Sequence, residues 1–154
     1  MIARLVLAGI MAAGLLSAQR GGKGGGGGGD YVPTAQQTPS RLDMIDNIIK
    51  LNKDQKKSVK TLMDDGQKEA APLRDQILKG SQDLGQAVLD GKSQDEIDKA
   101  VSANAALQAQ MTGIEMRVFA KLYQSLDKEQ QPKAAPVFYM MPGIFMTKNW
   151  NEVK

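Results

Sequence analysis

The chain has 154 residues, 42% of them hydrophobic and 24% charged, which suits one modest domain and little more. It contains no cysteine and no histidine, and this excludes disulfides, thiol nucleophiles, zinc-finger ligand sets, imidazole bases and Ser-His triads. Twenty Lys and Arg against 17 Asp and Glu give a net charge of +3, and with no dense cationic run nucleic acid is not an expected partner.

Residues 1–18 read as a secretory signal peptide. Arg4 precedes a mostly apolar run, and Leu16-Ser17-Ala18 supplies a small-residue cleavage end before Gln19. The run is shorter than the ~20 residues needed to cross a bilayer, so no stable membrane insertion is expected after cleavage. The expected address is the periplasm. Residues 19–39 then form a linker: Arg20 to Asp30 is mostly glycine, and 31–39 is polar with two prolines. This glycine run lacks the preceding strand and the Gly-Lys-Ser/Thr ending of a phosphate loop.

The body, 40–131, reads as all-α. Ser40 caps a short helix over 41–50 with Asp43 at its third position. Asn52 and Gln55 open a long helix whose apolar stripe runs Val59, Met63, Gly66, Ala70, Leu73, Ile77, Leu84, Val88. Pro72 either kinks or divides that helix. Asp90-Gly91-Lys92 is a turn with glycine in the left-handed conformation. Ser93 and Glu96 form a capping box for a helix over 94–124, with Ile97, Val101, Ala105, Leu107, Met111, Ile114, Val118 and Leu122 on one face. The two long helices should pair antiparallel, since each has a stripe that water would otherwise cover. Asp127 is expected to cap a fourth helix, with Gln130 three residues on and Pro132 tolerated only near its start.

One capping device is thus used twice. Leu51-Asn52-Lys53-Asp54-Gln55 and Leu126-Asp127-Lys128-Glu129-Gln130 each place a leucine outside the helix, a short polar cap, acidic first-turn groups and a glutamine that reaches back to an exposed amide. With the signal peptide and the helical body, these boxes resemble the periplasmic LTxxQ-motif family, which includes the Spy and CpxP stress proteins and related heavy-metal sensors. The likeness covers roughly residues 42–131. Both boxes carry Asn or Asp where the family usually has threonine, which keeps the cap and alters the signature.

The resemblance implies an elongated four-helix antiparallel protomer, curved like a cradle and paired as a homodimer. It implies an ATP-independent chaperone or envelope-stress binding protein that holds unfolded or misfolded envelope proteins on an apolar and basic face. No enzymatic activity and no cofactor are expected. Metal sensing in some branches of the family relies on histidine, which is absent here.

Two groups of side chains are candidates for the client surface. Lys53, Lys57 and Lys60 gather on the first long helix with Lys56 and Lys68, and Arg117 and Lys121 lie on the second. They steer acidic clients, or they are simply a solvated helix face. The tail, 132–154, concentrates Phe138, Tyr139, Met140, Met141, Phe145, Met146 and Trp150. It is an adaptable contact segment, or it folds back to complete the core or a dimer interface. Two further classes stay open: metal binding through methionine and carboxylate groups, with no residue assigned as a ligand because the spacings do not force convergence, and a helical adaptor for one envelope partner.

Overall fold

The computed structural model describes residues 38–153. The signal peptide and most of the linker read from the sequence lie outside the described residues. Within them the chain is all-helical, with four α-helices and no strand: α1 Arg41–Ile49, α2 Lys53–Leu89, α3 Gln94–Gln124 and α4 Ala135–Met140. Two 3-10 turns, Gln131–Ala134 and Ile144–Met146, flank α4. No helix among the described residues is long and apolar enough to cross a membrane.

The starts of α1, α2 and α3 carry reciprocal capping boxes at Ser40/Asp43, Asn52/Gln55 and Ser93/Glu96. Each box gives partners to amides that the first helical turn leaves without any. Helix α1 stops at Lys50, which takes a left-handed φ of 62°. Gly91, at φ 67°, turns the chain between α2 and α3.

Helix α2 runs unbroken for 37 residues, roughly 55 Å, so Pro72 does not divide it. The proline lies on an exposed face, where the carbonyl it strips of a partner can be hydrated. Antiparallel pairing with α3 is marked by contacts spread along both helices. Gly66 faces Val118, Glu69 pairs with Arg117 at 2.6 Å, and Asn104 donates to Ser81 Oγ at 3.0 Å. Asn104 is buried between the helices, and a Cβ on Gly80 would sit 3.1 Å from its Oδ1. A buried amide of this kind penalises a slipped register, because slippage would leave it without its partner.

The tail completes the core. Ala134, Val137, Met141, Ile144, Phe145 and Trp150 are buried with Ile45 and Ile49 of α1 and the stripes of α2 and α3. Phe145 reaches α2 at Gly66, where a Cβ would lie 2.7 Å from its Cζ and 2.7 Å from Val118 Cγ2. Only glycine permits that approach. Trp150 donates its indole N–H to Asp64 Oδ1 at 2.8 Å. Asn151 then covers the open start of α1: its Oδ1 accepts from the Leu42 amide at 2.8 Å, and its carbonyl accepts from the Arg41 amide at 3.1 Å.

One sequence expectation is corrected here. No α-helix starts at Asp127; residues 128–130 form a turn, a 3-10 segment follows, and α4 begins at Ala135. Pro132 has no N–H to close the bond back to the Lys128 carbonyl that an α-helix starting at Asp127 would need, and the chain takes a turn and a 3-10 segment there instead.

Candidate functional site

The twin boxes meet. Gln55 Nε2 donates to Gln130 Oε1 at 2.8 Å, and Gln130 Nε2 donates back to Gln55 Oε1 at 3.0 Å. Each glutamine oxygen also accepts from its own box, Gln55 from the Asn52 amide at 3.0 Å and Gln130 from the Asp127 amide at 2.9 Å. Gln130 Nε2 reaches the Lys50 carbonyl at 3.0 Å. Asn52 Oδ1 closes its box on the Gln55 amide at 2.9 Å, whereas in the second box the Asp127 carbonyl accepts from the Gln130 amide, the signature of a turn. Leu126 is buried and Leu51 packs against the core. With both oxygens used twice and both amides donating, this pair is a clasp that ties the start of α2 to the segment after α3. It leaves little hydrogen-bonding capacity for a ligand.

A different surface stands out on the flank of the core. Phe119 and Tyr123 lie one turn apart on α3, each next to a core residue, Val118 and Leu122. Phe138 and Tyr139 come from α4. Phe119 and Phe138 meet edge-to-face with centroids 5.4 Å apart, Phe138 and Tyr139 at 5.6 Å, and Phe119 and Tyr123 at 6.3 Å. Together with Gln131, Pro132, Ala134 and Ala135 these rings line a groove of about 400 Å³. Among the described residues its lining carries no charged side chain. Tyr139 is 79% exposed, and Tyr123 and Phe138 are each 39% exposed.

Met141 and Phe145 are fully buried and form part of the core, so their side chains are not on the surface where a client would meet them. Met140 is half-buried against the core, and Met146 is half-buried at another cavity. Lys60 pairs with Asp64 at 2.6 Å and Arg117 with Glu69, which ties up two of the cationic candidates. Lys53, Lys57 and Lys121 are exposed and make no ion pair among the described residues. Lys57 lies in a depression with Asp54 and Asp65, so the α2 face is of mixed sign. Lys121 sits two residues from Phe119 and Tyr123, off their face of the helix.

Phe119 and Tyr123 went unread in the sequence. Their signal is the widening of the α3 stripe, since large aromatics follow directly after the core positions 118 and 122. Burial pushes the Asp64 carboxyl up, but the Lys60 ammonium and the Trp150 indole N–H outweigh it and hold the group below its ordinary value. The Ser40 hydroxyl and Lys56 lower Asp43, and Ser93 lowers Glu96, as expected of carboxylates in capping boxes.

Compared with known proteins, the chain matches no family model, no curated protein and no solved structure.

Proposed function

We propose that this chain is an ATP-independent holding chaperone of the cell envelope, which keeps partly unfolded proteins from aggregating by reversible contact with the groove between α3 and α4. The observation that carries this reading is the placement of the aromatic residues. Of the seven in the chain, four line one open groove, while Phe145 and Trp150 fill the core. A folded protein covers large apolar rings when it can, and rings left open in a cluster mark an interaction surface.

Aromatic side chains suit a client of no fixed sequence. They offer large contact area with few torsions to freeze, and their faces accept aliphatic and aromatic groups alike. A groove lined by uncharged groups sets no charge requirement on what enters it. Lys53, Lys57 and Lys121 add weak steering of acidic clients. The LTxxQ-like boxes and the leader-like residues 1–18 support the envelope address. The finer architecture that belongs to this reading is an elongated, cradle-shaped protomer that pairs with a second copy.

The test is light scattering from a chemically unfolded reporter protein diluted into buffer without ATP, with and without the purified chain. Dose-dependent suppression at near-stoichiometric amounts, absent with an inert helical control, is the expected result. Tight capture of a single envelope protein with no effect on unrelated unfolded chains would replace the chaperone with an adaptor.

A further inference from the structure

A second cavity, of about 380 Å³, opens between α2, α3 and the segment after α4. Its lining includes Ile77, Ser81, Met111, Glu115 and Met146. Met111 and Glu115 are four residues apart on α3 and therefore share a face, and Met146 arrives from the distant 3-10 turn. The sequence spacing alone does not predict that the two thioethers share a cavity; the fold sets both on its lining.

Glu115 is the anomaly. It is 2% exposed, and among the described residues no Lys or Arg lines its cavity and its Oε1 has no hydrogen-bond partner. Burial pushes its carboxyl above the ordinary value, while the backbone N–H groups of Gly143, Phe145 and Ile144 lean toward it and oppose the rise. A buried carboxylate with an open oxygen is costly, and an apolar residue in the stripe would serve the core better. The group makes sense when a cation fills the gap.

We propose that this cavity binds a soft monovalent cation, Cu(I) or Ag(I), through the thioethers of Met111 and Met146 and the carboxylate of Glu115. Thioethers select soft ions, and in a chain with no cysteine and no histidine they are the soft donors available. One carboxylate and one monovalent cation leave no net charge in the buried site, whereas a divalent ion would leave one. Hard cations need several oxygen ligands, and no group of three or more carboxylates suited to a metal exists among the described residues. Methionine side chains are flexible enough to close on an ion from a cavity wider than the ion itself. The site does not depend on the aromatic groove and stands apart from the chaperone reading.

The test titrates the purified full chain with Cu(I) under reducing conditions against a competing Cu(I) chelator. One Cu(I) per chain is expected. Met111→Leu and Met146→Leu, which conserve volume, should each weaken binding at least about tenfold, and Glu115→Gln should weaken it as well. Met44→Leu, on the exposed face of α1, should leave it unchanged. Wild-type chain with ¹³C-methyl methionine gives an independent readout that needs no variant to fold under titration. Ag(I) should shift two methyl resonances, those of Met111 and Met146. Failure to retain Cu(I), retention unchanged in both leucine variants, or Ag(I) shifts confined to other methionines would overturn the proposal.

Discussion

Gly66 and Gly85 lie in the same helix and predict opposite responses to the same substitution. In an exposed helix interior, glycine to alanine stabilises by about 1 kcal/mol through backbone entropy. Gly85 has open space where a Cβ would go, so Gly85→Ala should gain that amount. At Gly66 the added Cβ would lie 2.7 Å from both Phe145 Cζ and Val118 Cγ2. Val118 is stiff at χ1 and Phe145 is fully buried, so neither yields without disturbing the core. Overpacking of this kind costs about 1–3 kcal/mol, which exceeds the entropic gain. Gly66→Ala should therefore destabilise, by up to roughly 2 kcal/mol. Thermal unfolding followed by circular dichroism would show Tm rising about 3–5 °C for Gly85→Ala and falling for Gly66→Ala. In a Phe145→Leu background the shortened side chain makes room, so the cost of Gly66→Ala should shrink by at least about 0.5 kcal/mol. Equal stabilisation by both alanines would refute the close packing of the tail on α2.

Other outcomes are equally specific. Gln55→Ala and Gln130→Ala should each cost about 1 kcal/mol in denaturant unfolding, and the double variant less than their sum, because either change already breaks both reciprocal bonds; simple additivity would count against the clasp. Phe145→Ala should cost about 3–5 kcal/mol, a large share of the roughly 5–15 kcal/mol that holds an ordinary domain folded; a variant as stable as wild type would mean the tail does not complete the core. Glu115 holds its proton more tightly folded than unfolded, so its contribution is fully present below its unfolded value near 4.5 and is lost as pH rises through the folded value. Tm of the metal-free chain, measured from pH 4 to 8, should therefore fall less for Glu115→Gln than for wild type, and parallel curves would contradict the buried, unpaired carboxylate.

Much of this fold can be read from short-range signals. Capping boxes are local chemistry, and so Ser40, Asn52 and Ser93 mark the starts of α1, α2 and α3 directly. The apolar spacing of α2 contains Gly66 at a core position, but the reason for a glycine there lies in Phe145, 79 residues on, and no periodicity carries that. The tail is harder still. Prolines at 132, 136 and 142 break it into single turns, each too short to show a repeat, and its burial depends on long-range bonds such as Trp150 to Asp64 and Asn151 to the start of α1. Asp127 resembles a helix cap because its box is genuine, yet Pro132 turns the box into a tight turn. The aromatic groove was half legible: Phe138 and Tyr139 stand out by composition, whereas Phe119 and Tyr123 hide beside a normal core stripe. Glu115 carries a visible signal, a charge next to Ile114 within the stripe of Met111 and Val118, but only the fold shows that no Lys or Arg among the described residues lines its cavity.

The most direct measurement compares two double variants with wild type in the ATP-free aggregation assay. Tyr123→Ser with Tyr139→Ser removes two of the three exposed rings of the groove, and Val88→Ser with Leu89→Ser removes exposed apolar side chains at the far end of the hairpin. All four positions are exposed, so circular dichroism should find both variants folded. Truncating a central aromatic contact costs on the order of 1–2 kcal/mol of binding, about tenfold. The groove variant should need about ten times more protein for the same suppression, and the hairpin-tip variant should match wild type. Undiminished suppression by the groove variant, or an equal loss from the tip variant, would contradict the claim that the groove holds the client.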